Sequence, residues 1–479
     1  MPIWNRRLAR SEGKGLLRRG RARVLPASLA LAMLAGCGGG DARLLIVTSN
    51  DVSGKTSPCG CHTPKGGLAR RAAFLDSVRS KRVNVLVLDA GNFFPATDDE
   101  REVAPFMLAA MATLGTQAAG VGVNELRYGY SFAREHARSA GVPLVSTNIV
   151  RFELGEPAFE GWRLIETGGM KVGVFGLASE TSDLGPARDS LRIDPAEPAA
   201  RKAVDALRAL GAQRIVLLSQ LGQAEGESVA VHVPGIDLVV GGGGVPVRPD
   251  GVRAGNAVAV YGGNQGWQVG VVDVPASKSG QSPLSARTVV LDPSVKNQPA
   301  MAARVKAFED TLNAHLRARD AALGPAPTTG GTAEHYVGMS NCIKCHASEY
   351  AQWQTTPHAR AWKTLVDQHK DSTPACVVCH VTGYGKPGGF RTADDAARFG
   401  NVQCEACHGM GSHHREWVED GSTVAETVCR ACHTDVTSPT FQLALYRPHV
   451  LHNPPPGLSP LPESPAQRLM RAGKPPHGR

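Results

Sequence analysis

Four copies of one short pattern, Cys-x-x-Cys-His, lie within residues 342–433 and constrain that stretch more than anything else in the chain. They are Cys342–Cys345–His346, Cys376–Cys379–His380, Cys404–Cys407–His408 and Cys429–Cys432–His433. Two thiols at this spacing can add to the two vinyl groups of one haem, and the adjoining imidazole then reaches the iron from the proximal side. The spacing is short because both thioethers and the iron ligand must gather around one macrocycle. Cysteine pairs alone would also suit zinc or a redox dithiol. Four pairs, each followed at once by His, favour four covalently attached c-type haems. Aromatic residues make up only 5% of the chain as a whole, and covalent haem would supply core to this segment.

Each iron has a second axial position. Besides the four proximal histidines, the segment holds His335, His358, His369, His413, His414, His449, His452 and His477. Three or four of these are expected to ligate iron. His449 is the favoured donor from beyond the last motif, and His335 and His369 compete for what remains. An iron left five-coordinate would offer a substrate site.

Thioether attachment also requires export. Residues 1–36 carry eight Lys or Arg against one Glu, and an apolar run, LPASLALAMLAG, fills 25–36. A basic stretch followed by a short apolar one reads as an export signal, and the run is too short for a spanning helix. LAGC at 34–37 resembles the bacterial lipobox, which implies a lipid anchor on Cys37 as the first mature residue. Gly38 and Gly39 then point to outer-membrane routing, with the protein facing the periplasm. The net charge of +9 comes mostly from this signal. The nearly neutral remainder offers no basic stripe for phosphates, so nucleic acid is not an expected partner.

Residues 42–290 alternate apolar runs with helix-like segments. RLLIVTS (43–49), VNVLVLDAG (83–91), PLVSTNIV (143–150), MKVGVFGL (170–177) and RIVLLSQLG (214–222) read as strands. GGLARRAAFLDSVR (66–79) and EVAPFMLAAMATLG (102–115) read as helices. This predicts layered α/β architecture, with polar residues clustered just beyond strand ends. A helix is expected over 297–323, a flexible linker over 324–333, and a Pro-rich tail at the C-terminus.

Two family resemblances sharpen this reading. YVGMSNCIKCHASEYAQWQTTPHARAW (336–362), CVVCHVTGYG (376–385) and VQCEACHGMGSHH (402–414) resemble the tetrahaem cytochrome c-554 family. The resemblance implies electron transfer between redox proteins. It places distal ligands on His358 and on His413 or His414, with His414 favoured. TSNDVSG (48–54), LDAGN (88–92), GVNELRYG (122–129), VSTNI (145–149), KVGVFGL (171–177), LLSQLG (217–222) and DLVVGGGGV (237–245) resemble the 5′-nucleotidase-type metallophosphatases. That resemblance implies a two-metal fold whose ligand positions fall on Asp51, Ser53, Asn92, Val123, Asn124, Gln220, Gly243 and Val245. Only Asp51 keeps the expected residue type, so the usual dinuclear site is expected to be lost.

SPCGCH (57–62) places Cys59, Cys61 and His62 after the first strand. Together they suit zinc or copper, or a reactive dithiol; a local disulfide or inert thiols are the alternative. Lys65, Arg70 and Arg71 follow and suit an anion or a solvated face. The expected organisation is a signal peptide at 1–36 and a degenerate metallophosphatase-like domain at 37–296. A helix and linker at 297–335, a mostly helical tetrahaem domain at 336–453 and a tail at 454–479 complete it. The expected function is electron transfer with redox protein partners. The alternatives are an oxidoreductase acting on a small substrate at an open iron or at Cys59/Cys61/His62, and, further off, a phosphoesterase.

Overall fold

Along the first strand, β1 (Leu44–Ser49), Leu44 and Ile46 face one apolar cluster and Leu45 and Val47 face another. Successive side chains of a strand point to opposite faces, so this strand must be covered on both. The computed structural model describes residues 44–58, 64–81, 84–275, 283–323, 333–367, 370–414, 424–434, 437–438, 441–452, 454 and 457. Asp41–Arg479 forms one compact unit.

β1 begins a six-stranded sheet. β2 (Asn84–Asp89), β3 (Thr116–Gly120) and β4 (Leu144–Val145) run parallel to it in that order. A second six-stranded sheet contains β6 (Trp162–Thr167), β7 (Met170–Ala178), β9 (Arg214–Gln220) and β10 (Leu238–Gly241), then β12 (Ala257–Tyr261) and β11 (Val252–Ala254). Its four central strands, β7, β9, β10 and β12, are parallel, while β6 and β11 form antiparallel edges. β13 (Gln268–Val274) returns to pair antiparallel with β1, and β14 (Ser285–Val290) flanks it. β5 (Ile149–Arg151) and β8 (Leu191–Ile193) form a separate ribbon.

Leu44, Ile46, Leu86, Leu88, Val172, Val174, Val216, Leu218 and Val240 lie in one buried cluster between the two sheets. Helices α1 (Leu68–Arg79), α2 (Val103–Leu114), α3 (Val123–Leu126) and α4 (Tyr130–Ala140) belong to the first sheet's connections. Side chains of these helices cover that sheet's outer face. α5 (Ala196–Ala209) and α6 (Gly222–His232) cover the second. The result is the layered mixed-sheet arrangement expected from the alternating pattern. One strand reading changes: PLVSTNIV divides into β4 and β5, in different sheets. The break falls at Asn148, whose side chain leaves the strand pattern to bond Ala178 O at 2.7 Å and Asp194 O at 3.0 Å.

α7 (Pro299–Leu323) packs back on the first sheet's helices through Met301, Val305 and the stacked pair Phe308–Phe106, 4.0 Å apart. Beyond it the chain is mostly helical, in short pieces. These are α8 (Met339–Cys342), α9 (Ala347–Gln354), α10 (Ala361–Val366), α11 (Pro374–His380), α12 (Ala396–Phe399), α13 (Cys404–His408), and helices at Glu426–Arg430 and Leu443–Tyr446. Their buried apolar cluster is small: Tyr336, Leu365, Val377, Val381, Phe390 and Phe399. No described helix is long and apolar enough to cross a membrane. The signal, Cys37 and most of the linker and tail lie outside the described residues.

Leu218 is fully buried between the sheets. Leu218→Ala removes a large side chain from a two-sided core and is expected to cost about 3 kcal/mol. Chemical denaturation followed by far-UV circular dichroism measures this; a loss below about 1 kcal/mol would contradict the two-sheet packing.

Candidate functional site

Parallel strands align their carboxyl ends, and the loops leaving those ends meet. Here the loops after β1, β2, β3, β9 and β10 bring together Asp51, Asn92, Asn124, Gln220 and Gly243. Asn92 Nδ2 donates to Asp51 Oδ1 at 3.0 Å and to Gln220 Oε1 at 2.7 Å. Gln220 Nε2 donates to Ala90 O at 3.0 Å, and Asn92 Oδ1 accepts Asn124 N–H at 3.1 Å. Asp51 also accepts Asn50 Nδ2 at 3.1 Å and the amides of Gly243 and Gly244 at 3.2 and 3.4 Å. The lone carboxylate is thus satisfied by N–H groups and embedded in a neutral amide network.

The backbone around this network is special. Asp51, Ser53 and Asn92 adopt φ of 47°, 50° and 55°, a region unfavourable to residues with a Cβ. Two backbone bonds lock the loops together, Asp51 N–H to Gly91 O and Ser53 N–H to Asn92 O, both 2.9 Å. Fully buried Glu125 completes the lock, accepting the amides of Gly122, Asn92, Phe93 and Phe94 at 2.8–3.0 Å. Burial pushes its carboxyl up to about 7, against the pull of these N–H donors. Behind the network, Ser49 hydroxyl donates to Asp89, and Arg71 lies 3.1 Å from Ser49 Oγ and 3.9 Å from Asp89. Burial raises Asp89 to about 6 and lowers Arg71. Arg71 is therefore neither a solvated surface residue nor a free anion ligand. Arg70 likewise bonds Pro64 O and Leu291 O.

The chemistry of this donor set differs from that of a dinuclear centre. Asn92 spends its amide nitrogen on Asp51 and Gln220, and Gln220 spends its own on Ala90 O. Among the described residues, no three His, Cys, Asp or Glu side chains group as metal ligands. The Ser53 hydroxyl makes only a long contact, 3.5 Å, to Asp51 O, and Val245 is buried in the second sheet's outer core. Cys59, Cys61 and His62 lie outside the described residues. Glu125 and Asn50 were not singled out from sequence; an acid three residues beyond a glycine turn was the available signal for Glu125.

The C-terminal region brings histidines into facing pairs. Ring centroids lie 5.9 Å apart for His346 and His414, 6.2 Å for His358 and His433, and 5.9 Å for His408 and His452. Two imidazoles bound to one metal at about 2 Å each place their centroids about 6 Å apart. The pairs therefore fit the span of a bis-imidazole iron. His380 Nδ1 lies 2.7 Å from Ala361 O, which accepts its proton and leaves Nε2 for a metal; His433 Nδ1 similarly meets Ser438 Oγ at 2.9 Å. Burial, with the charge of His433 and His380, lowers His358 to about 4, leaving a neutral ring.

Cys342, Cys345, Cys376, Cys379, Cys404, Cys407, Cys429 and Cys432 are all free of disulfides. Thiols of different motifs meet: Cys342 with Cys404, and Cys379 with Cys432, each through a side-chain hydrogen bond, while Cys407 feels the charge of Cys429. Val378, inside the second motif, is half exposed, and Leu445, Val450 and Leu451 near His452 are also exposed. These apolar surfaces fit a flat apolar cofactor. His449 bonds Gln352 through its backbone oxygen at 3.4 Å, whereas His452 from the same segment supplies the ring facing His408. His335 is held near Ala333 O and Ser412, and His369 and His477 lie outside the described residues.

Comparison with known proteins divides along the same line. The family model for cytochrome c554 and c-prime matches residues 341–409. Cytochrome c-554 of Nitrosomonas europaea is 33% identical over 95 residues, covering 17% of this chain and 40% of that protein. The snake venom 5′-nucleotidase of Gloydius brevicauda is 30% identical over 265 residues, covering 50% of this chain and 44% of that protein. The structure of a 5′-nucleotidase precursor from Thermus thermophilus superposes with a TM-score of 0.51 at 25% identity, covering 57% of this chain and 59% of that one. The chain thus spans less than half the length of these two curated relatives. Its C-terminal region matches the cytochrome c554 family, and its N-terminal region has the metallophosphatase fold of the 5′-nucleotidases.

Proposed function

We propose that this chain is an exported multihaem c-type cytochrome that transfers electrons between redox proteins, with its N-terminal domain serving as a catalytically altered scaffold. The observation that carries the reading is the set of three imidazole pairs at the span of an axially ligated iron. In this reading each Cys-x-x-Cys-His motif holds one haem, four in all, by two thioethers and a proximal histidine. His414, His358 and His452 would hold the iron together with His346, His433 and His408 respectively. Bound haem supplies one-electron chemistry, tuned by axial ligand, hydrogen bonding and burial. The thiol contacts set first motif beside third, third beside fourth, and fourth beside second. Cys37 anchors the protein by lipid at the outer membrane, facing the periplasm.

The N-terminal domain does not fit phosphoester hydrolysis, because the Asn92 and Gln220 amides stand where ligands would be needed. A second reading has one specific support. Thr56 and Ser57, which lead into Cys59, Cys61 and His62, both donate to Glu309, and Glu309 in turn holds Lys370 ahead of the second motif. This reading has a zinc, copper or dithiol centre at Cys59/Cys61/His62 acting on a small or anionic substrate. Elemental analysis of a Cys59→Ser/Cys61→Ser variant tests it: loss of non-haem metal or of substrate-driven haem reduction supports it, and unchanged behaviour removes it.

His452→Ala in the holoprotein is expected to convert one of the haems from low to high spin by electron paramagnetic resonance, and His449→Ala is expected to leave the spectrum unchanged; the reverse outcome would contradict the assigned pairs. Asn92→Asp places a second carboxyl where the amide now lies 3.0 Å from Asp51. With chelator present, it is expected to cost about 2 kcal/mol at neutral pH. The new carboxyl's folded pKa is raised, so this loss should grow as pH rises above about 4 and fade below it. Denaturation at several pH values measures this, and a pH-independent effect would contradict the amide network.

A further inference from the structure

Glu309 sits in the middle of α7, next to Phe308, which is stacked on Phe106 of the first sheet's helices. Its Oε1 accepts three donors: Thr56 Oγ1 at 2.7 Å, Ser57 Oγ at 2.6 Å and Lys370 Nζ at 2.8 Å. Burial alone would raise this carboxyl, yet Lys370 and the two hydroxyls more than offset it and hold it below the ordinary glutamate range. Eight residues on, about two helical turns along the same face, Arg317 meets Asp371 at 2.7 Å. The Asp371 side chain is 9% exposed and that of Glu309 14%, so both ion pairs have one largely desolvated member. Removing one partner of such a pair leaves a charge without compensation, and the cost exceeds that of a surface pair.

What these two pairs join is informative. Thr56 and Ser57 close the loop that starts at Asp51, and that loop is pinned by Gly54 N–H to Phe93 O and Leu68 N–H to Thr56 O. Lys370 and Asp371 lead directly into the helix of the second motif. Thr373 N–H bonds Lys370 O, and Cys376 N–H bonds Thr373 O. A continuous run of short bonds therefore links the loop of the altered centre, through α7, to the backbone that presents Cys376, Cys379 and His380.

We propose that Glu309 and Arg317 are positioning residues: they clamp the segment ahead of the second motif to the loop of the altered centre. The coordination environment of His380 is then set partly by the N-terminal domain. This rests on the reading that His380 holds a haem iron. The clamp holds the segment ahead of the second motif against α7 and the loop that starts at Asp51. The two acidic groups, Glu309 and Asp371, face the two basic groups, Lys370 and Arg317, so the junction is electrically balanced.

The test uses the full holoprotein carrying Lys370→Gln with Arg317→Gln, and separately the exchanged pair Arg317→Asp with Asp371→Arg. Hydrogen exchange is followed at residues 54–58 and 370–376, and the four haem potentials are resolved by spectroelectrochemistry. The double Gln variant is expected to exchange roughly tenfold faster at both segments together, and one of the four potentials should move while the others stay. The exchanged pair should restore protection at 370–376 toward wild type. Faster exchange at 370–376 alone, with all potentials unchanged, would overturn the clamp, as would wild-type exchange at both segments. A protein lacking haem at the second motif would defeat the haem assignment, while exchange at 54–58, in the N-terminal domain, would still report on the clamp.

Discussion

The C-terminal region buries very little of its own. Among the described residues, six buried apolar side chains form its cluster, against three extensive clusters around the two sheets. Short helices of four to eight residues cannot hold themselves together by backbone bonds, because helix nucleation is costly and tertiary packing must offset it. Cohesion must come from elsewhere. Cysteines outside any disulfide, paired imidazoles and exposed aliphatic side chains are groups that covalently bound haem would join. A fold assembled in this way gains its core and its chemistry in one step, much as structural metal sites do.

The N-terminal region presents the opposite case. Its core is complete, and its strand ends retain the left-handed residues Asp51 and Asn92 that a demanding site requires. The interactions there are now amide to amide and amide to carboxylate. Backbone strain of this kind persists only where surroundings over-determine it. Glu125, with its four amide donors, does so here. The strand ends thus hold an amide network at the positions where the resemblance implies a ligand set.

Much of this was legible in the chain. The repeated Cys-x-x-Cys-His spacing is a local signal, and continuous apolar runs marked six of the fourteen described strands. The replacement of ligand types at Asn92, Gln220 and Gly243 could be read position by position. Other features depend on contacts that no local pattern encodes. His449 and His452 stand three residues apart on one segment, and only the packing of that segment selects which ring faces His408. Asn148 divides one apparent strand into two through bonds to residues 30 and 46 positions away. Glu309 looks like any polar residue on a helix, and its partners at Ser57 and Lys370 are 252 and 61 residues distant. Arg70 and Arg71 read in sequence as an anion site or a solvated face, yet both side chains are buried.

The central claim is that the four motifs each carry a covalent haem in one exported chain. Intact mass spectrometry of the mature protein, purified from a host with full cytochrome c maturation, tests it most directly. The expected mass equals the processed, lipidated polypeptide plus four haems, which persist after acid denaturation. A mass corresponding to three haems or fewer, or release of haem on denaturation, would contradict it.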